Sequence, residues 1–256
     1  VMIGALMFLG CPLRMILRLG GGDLNALFGI AGFAGGVGIG TIFLKRGYSL
    51  QRTYALSKLE SAIMPAIQVG LLVLVVTAPA FIFFSQKGPG AMHAPWLISL
   101  AAGLVVGGLS QYSRLCTVGG FRDLFLFKKS VLIFGYIAVL VGVFAVNISF
   151  GNFHLGFENQ PVSHTDGLWN FLGMALAGFC SVLLGGCPLR QLIMTGEGNS
   201  DSAVTVLGLA AGAAFAHNFG LAASGAGPTL NGQIAVGIGF VVALIIAVLN
   251  TKRSNA

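Results

Sequence analysis

The stretch GGCPLRQLIMTGEGNSD, residues 185–201, decides the fold, because GCPLR stands a first time at residues 10–14. At an offset of 176, the step from Cys11 to Cys187, the residues Gly10, Cys11, Pro12, Leu13 and Arg14 fall on Gly186, Cys187, Pro188, Leu189 and Arg190. The same offset carries Gly20 and Gly22 onto Gly196 and Gly198, and after a three-residue insertion Gly29 meets Gly208. An identical pentapeptide in so short a chain marks an internal repeat.

The repeat is set in lipid-compatible sequence. Of 256 residues, 56% are hydrophobic and 8% charged, with a mean hydropathy of +0.91; a soluble domain carries about three times that share of charge. The 39 glycines are spread through the apolar runs, as where helices approach closely in a membrane. Spans are expected at about 24–44, 62–84, 95–113, 130–150, 168–186, 203–222 and 233–250, with 1–10 as the tail of an earlier one, since about 20 apolar residues cross a bilayer. Backbone groups need internal partners in lipid, so an all-α polytopic bundle follows, and the short alternating segments of a barrel are missing. Pro65 and Pro79 should kink the 62–84 helix. Val1 opens inside an apolar run without a charged leader or cleavage site, which reads as an N-terminal truncation rather than a signal peptide.

The net charge of +7 forms no continuous basic face, so nucleic acid is not an expected partner. The bilayer is. Lys45, Arg46, Arg52 and Lys58 put their loop on the cytoplasmic side, and alternate threading brings every other basic residue there except Arg14, Arg18 and Lys87, with the C-terminus inside. Five spans then separate the two GCPLR copies. They are expected at opposite faces, as inverted-topology repeats of the kind found in transporters. The single membrane domain would comprise 1–60, the remainder of a first half; 61–94, a connecting helix and outer loop; and 95–256, a second half.

In Cys-Pro-Leu-Arg, proline suits the first turn of a helix and makes cysteine its N-cap. The thiol would meet unpaired backbone N–H groups and the positive helix end, with arginine one turn on. Soft sulfur, oriented N–H groups and a cation suit a small anion of sulfur or selenium. Glycines 20–22 and 196–198 would turn the chain back and bring backbone near a passing ion. A third thiol stands in SRLCTVGGFRD, where Arg114 and Cys116 precede Gly119-Gly120, and Arg122 and Asp123 follow; those two either serve the path or bond neighbouring helix ends. Cys180 falls mid-helix and reads as packing. The cysteines fit neither a paired secreted pattern nor CxxC, so they read as thiols. His93, His154 and His164 fall in outer loops and read as solvated, while His217 and Asn218 form an intramembrane polar pair suited to helix-to-helix bonding. No metal-ligand spacing or P-loop is present, so no cofactor is expected.

GCPLRMILRLGGGDLNAL, SRLCTVGGFRD, GFENQPVSHTDGLWNFLGM, GGCPLRQLIMTGEGNSD and AHNFGLAASGAGPTLNG resemble the YeeE/YedE family of sulfur transport membrane proteins, most of all its branch linked to selenium metabolism. The resemblance implies a bundle of inverted halves, a permease rather than an enzyme, and a substrate path through Cys11, Cys116 and Cys187 flanked by Arg14, Arg114 and Arg190. It also implies that a counterpart of the Cys116 motif belongs to the first half. A soluble selenium- or sulfur-handling partner at the cytoplasmic face is compatible with such uptake, and no residue of the sequence points to it. Two other classes remain open from the residues: a membrane thiol oxidoreductase, which needs cysteines that can meet, and a soft-metal transporter, against which the flanking arginines argue.

Overall fold

The computed structural model describes residues 1–50, 57–78, 81, 83, 86, 91 and 94–251; Arg52, Pro79, Lys87, His93, Lys252 and Arg253 lie outside them. Among the described residues the chain is all helix: α1 Met2–Phe8, α2 Pro12–Gly20, α3 Asn25–Lys45, α4 Lys58–Thr77, α5 Trp96–Tyr112, α6 Thr117–Phe127, α7 Val131–Ser149, α8 Gly167–Leu183, α9 Pro188–Gly196, α10 Ser200–Asn218 and α11 Leu230–Leu249. Six helical stretches are long and apolar enough to cross a membrane: Met2–Gly20, Asn25–Lys45, Trp96–Phe127, Val131–Ser149, Gly167–Gly196 and Leu230–Leu249. The protein is an all-α polytopic membrane protein. The span expected at 203–222 is α10, which is not among the six: Ser200, Asp201 and Ser202 at its start and His217 and Asn218 at its end dilute its apolar middle.

Three of the six stretches are interrupted, and each interruption falls at a motif cysteine: Cys11 between α1 and α2, Cys116 between α5 and α6, and Cys187 between α8 and α9. With seven and nine residues, α1 and α2 are each less than half of the ~30 Å hydrocarbon thickness.

The chain divides into two compact units, one of Val1–Arg52, Cys116–Leu189 and Leu207–Ala256, the other of Thr53–Leu115 and Arg190–Val206. The first is built on a parallel pair, α3 and α8. Gly32, Gly36 and Gly40 recur every fourth residue on α3, and a Cβ at these positions would lie 2.0 Å from the Phe171 carbonyl, 2.0 Å from the Ala175 carbonyl and 2.6 Å from Val182. Glycine is therefore required for the two backbones to touch, which is how helices gain packing energy in lipid. In contrast, α1 runs antiparallel to α8: Gly4 lies against Ala177, and Met7 against Gly173. Gly239 of α11 closes on Leu176, and Met7, Leu176, Phe179, Val236 and Ala243 form the core. The outer faces stay apolar, as at Phe134, Val141 and Leu249, in keeping with a lipid surround.

One end of this unit is polar and buried. Arg18 pairs with Asp23 at 2.7 Å, their side chains 5% and 3% exposed. Asp23 accepts from both the backbone and the side-chain amide of Asn25, and Asn25 donates on to the Phe157 carbonyl. Arg18 also donates to Ser163. This ties the α2–α3 turn to the 152–166 loop. Gly22, at φ +100°, serves that docking, since a Cβ there would strike the His154 carbonyl at 2.4 Å; the glycine faces a loop, not the thiols.

In the second unit Arg190 donates to Gln111 at 2.8 Å and lies 3.8 Å from Glu197. Ser110 at the end of α5 is buried.

Candidate functional site: three helix breaks and their cysteines

The three breaks share one backbone design. Aligned on their cysteines, ALMFLGCPLR (5–14), SQYSRLCTVG (110–119) and SVLLGGCPLR (181–190) each close with a hydrogen bond from the residue before the cysteine to the carbonyl five residues earlier. These are Gly10 to Ala5 at 2.8 Å, Leu115 to Ser110 at 3.0 Å and Gly186 to Ser181 at 3.0 Å. The residue two before the cysteine is left-handed in all three: Leu9 at φ 62°, Arg114 at φ 52° and Gly185 at φ 82°. This is the Schellman ending, in which the left-handed residue turns the chain so that two terminal carbonyls find donors. The cysteine then begins the next helix. The Cys11 sulfur accepts from the Arg14 amide at 3.5 Å and the Cys116 sulfur from the Gly119 amide at 3.4 Å, so both are side-chain N-caps, as expected for Cys11. Pro12 stands in the first turn after Cys11, and Cys187 directly precedes Pro188.

Side chains from elsewhere secure the carbonyls ahead of two breaks. His164 Nε2 contacts the Met7 carbonyl at 2.8 Å. A carbonyl can only accept, so Nε2 carries the proton there. Arg18 Nη1 donates to the neighbouring Phe8 carbonyl at 2.6 Å, and its guanidinium sits 4.0 Å over the Phe8 ring. At the repeat-related position of Met7, the Leu183 carbonyl accepts from the Tyr48 hydroxyl at 3.2 Å. Burial, with Cys180 beside it, pushes the Tyr48 phenol above its ordinary value, so Tyr48 stays a donor. His164 is 2% exposed, which overturns its reading as a solvated loop histidine: the loop folds back over the bundle to cap α1.

The cysteines converge. The Cys116 and Cys187 thiols are hydrogen-bond neighbours, with Cys116 the donor, and the Cys187 backbone amide donates to the Cys116 sulfur. Tyr136 of α7 lies within electrostatic reach of Cys187, Cys116 and Cys11 together. Its hydroxyl is 2.6 Å from that of Thr117, the residue after Cys116. Glycine permits this approach: Gly119 and Gly120 bring α6 onto Leu132 and Ile133 at the start of α7. Tyr136 is five residues into α7, ~8 Å along the helix from its start. Cys116 is 8% and Cys187 1% exposed, Cys11 half-buried, and none is in a disulfide.

This corrects the expectation that Cys11 and Cys187 stand at opposite faces. That expectation counted whole spans, whereas each motif lies at a break partway in. Cys11 and Cys187 therefore share Tyr136 as a neighbour although α1 runs antiparallel to α8.

The remaining candidates are scattered. Arg14 and Arg114 are exposed, and Arg190 is engaged by Gln111 and Glu197. Arg122 and Asp123 pair with each other at 2.9 Å instead of with helix ends, because both are half-exposed on one helix turn. His217 and Asn218 are exposed, and the Asn218 amide bonds the Ala214 carbonyl of its own helix instead of a neighbouring one. Cys180 packs on the core, as expected, and borders an apolar cavity of about 800 Å³ whose lining does not include the three clustered thiols. Tyr136, Thr117 and Tyr48 went unnoticed in the sequence, and Arg18 was read only as an outer-face charge; a lone tyrosine in the apolar run VLIFGYIAVLVGV was the available signal for the first.

The thiosulfate transporter TsuA of Escherichia coli (strain K12) is 27% identical to this chain over 115 residues, which cover 42% of this chain and 30% of that protein. The chain thus matches under a third of that relative's length. No solved structure matches it. A model of the sulphur transport family matches residues 112–252, which carry the Cys116 and Cys187 breaks, α7 and the last helix, and span more than half of the sequence. The chain belongs to the sulphur transport family.

Proposed function

We propose that this protein takes up a small sulfur-containing anion, thiosulfate or a selenium analogue, along a path through Cys11, Cys116 and Cys187. The observation that carries the reading is the gathering of two helix N-caps and a third thiol beside Tyr136, within a membrane domain. Helix starts attract anions through N–H groups that lack helical partners. Thiols add weak S–H donors. Weak contacts suit conduction, because an ion held tightly at one point does not move on. Arg14, Arg114 and Arg190 would supply positive potential along the approach. Gly10 and Gly186 close the breaks, while Pro12 and Pro188 fix the helix starts.

Charge supports one orientation. Lys45 and Arg46 end α3, Lys128 and Lys129 precede α7, and the α3–α8 pairing sets both on one side of the bundle. Ser49 donates to the Asn250 carbonyl, so the end of α11 shares that side. Positive residues mark the cytoplasm, which favours a prokaryotic inner membrane with the C-terminus inside and a sulfur- or selenium-handling protein as recipient.

Purified protein in proteoliposomes should accumulate labelled thiosulfate or selenite, and Cys187→Ala should lower the rate at least tenfold. Unchanged uptake in that variant would remove the thiol path. The contact of Cys116 with Cys187 gives a thiol oxidoreductase a specific foothold. Reversible bridging of these two cysteines by a dithiol/disulfide buffer, without anion uptake by the reduced protein, would favour that second reading.

A further inference from the structure

Apart from Tyr136, α7 shows no buried residue; Leu132, Ile133, Val143 and Asn147 are half-buried against α2 and α6, and much of the rest of the helix is exposed. Tyr136 is 6% exposed and Thr117 fully buried, and their hydroxyls, 2.6 Å apart, stand directly beside Cys116 and within reach of Cys187 and Cys11. A polar group at such depth is costly unless it has a partner or a task. The pair satisfies itself only in part. Two hydroxyls carry two protons, their mutual bond uses one, and either oxygen can be the donor.

We infer that Tyr136 and Thr117 form a substrate-binding element, in which the second hydroxyl proton hydrogen-bonds the oxygen atoms of the anion while the thiols contact its sulfur. This rests on the transport reading above and adds a recognition chemistry to it. Hydroxyls are better donors to oxyanions than thiols are, and a neutral donor stabilises the ion without fixing it as a buried cation would. Because either oxygen can donate, the outward proton can shift from Thr117 to Tyr136 as the anion passes from one thiol to the next. The pair fits a tetrahedral oxyanion bearing a terminal sulfur or selenium better than bare hydrosulfide.

The test is uptake and thermal stabilisation of the full chain by thiosulfate. Tyr136→Phe removes one oxygen and leaves the ring; it is expected to raise KM about tenfold with Vmax little changed, the loss of one hydrogen bond to a charged group, and to abolish the rise in unfolding temperature caused by thiosulfate. Thr117→Val should act alike, and Thr117→Ser should restore both properties. Wild-type KM and wild-type thiosulfate stabilisation in Tyr136→Phe would overturn the inference. So would equal losses in Thr117→Val and Thr117→Ser, which mark a packing role. A wild-type protein that neither transports thiosulfate nor is stabilised by it sinks the transport reading itself, and that outcome is distinct from a variant that matches an active wild type.

Discussion

At the break before Cys11 the left-handed residue is Leu9; at the break before Cys187 it is Gly185. The first break has its carbonyls held by His164 and by Arg18, the latter locked in a buried ion pair, whereas Tyr48 holds the Leu183 carbonyl of the second. Yet both close with the same long-range hydrogen bond and both deliver a cysteine to the same cluster. The backbone ending is thus the shared feature, and the side chains that secure it differ from copy to copy. A strained residue at the first break goes with a charged support; an unstrained glycine at the second goes with a neutral one.

If that support matters, removing it at the first break is the costlier act. Asp23→Ala would leave the Arg18 guanidinium charged and buried without its carboxylate, a loss of about 3–5 kcal/mol for a buried pair broken on one side. Thermal unfolding in detergent should register it as a large fall in midpoint, with thiol labelling at Cys11 increased more than at Cys187. Equal labelling at both cysteines would mean that the ion pair holds the whole bundle instead of one break.

The caps on the repeat-related carbonyls give a finer contrast. His164→Phe strands the buried Met7 carbonyl and should cost about 1–3 kcal/mol, the desolvation of an unsatisfied group. Tyr48→Phe removes a longer bond, 3.2 Å, and should cost about 0.5–1.5 kcal/mol. Denaturant unfolding would order the two, and a larger cost for Tyr48→Phe would reverse the proposed division of labour.

Much of this was legible in the residues. Composition fixed an all-helical membrane bundle, and GCPLR with its echo gave the repeat and the N-capping cysteine. What stayed hidden depends on helix length and tertiary approach. Nothing in VMIGALMF says that the helix stops after Phe8, because Leu9 in a left-handed conformation carries no sequence sign, whereas Gly185 does. Span counting therefore separated cysteines that the fold joins. His164 looked like an ordinary loop residue because its partner, the Met7 carbonyl, is remote in sequence and belongs to the backbone. The third thiol was noticed in SRLCTVGGFRD, but its kinship with the other two breaks was not: apart from the cysteine, SQYSRLCTVG shares with SVLLGGCPLR only the serine six residues before it, so the likeness lies in backbone angles and not in letters.

Gly185 offers the smallest and cleanest test of whether backbone conformation, not space, governs the breaks. A Cβ at Gly185 would meet nothing within 4 Å, so alanine fits sterically. Its φ of +82° nevertheless penalises any L side chain, by about 1–2 kcal/mol. Gly185→Ala should therefore lower the unfolding free energy by about 1 kcal/mol although no atom clashes, and it should slow anion uptake only modestly because the break at Leu9 shows that a side chain is tolerated there. A neutral Gly185→Ala would imply that the break relaxes to another turn without moving Cys187. A severe loss of uptake with stability retained would imply the opposite, that the thiol's position depends on this one left-handed residue.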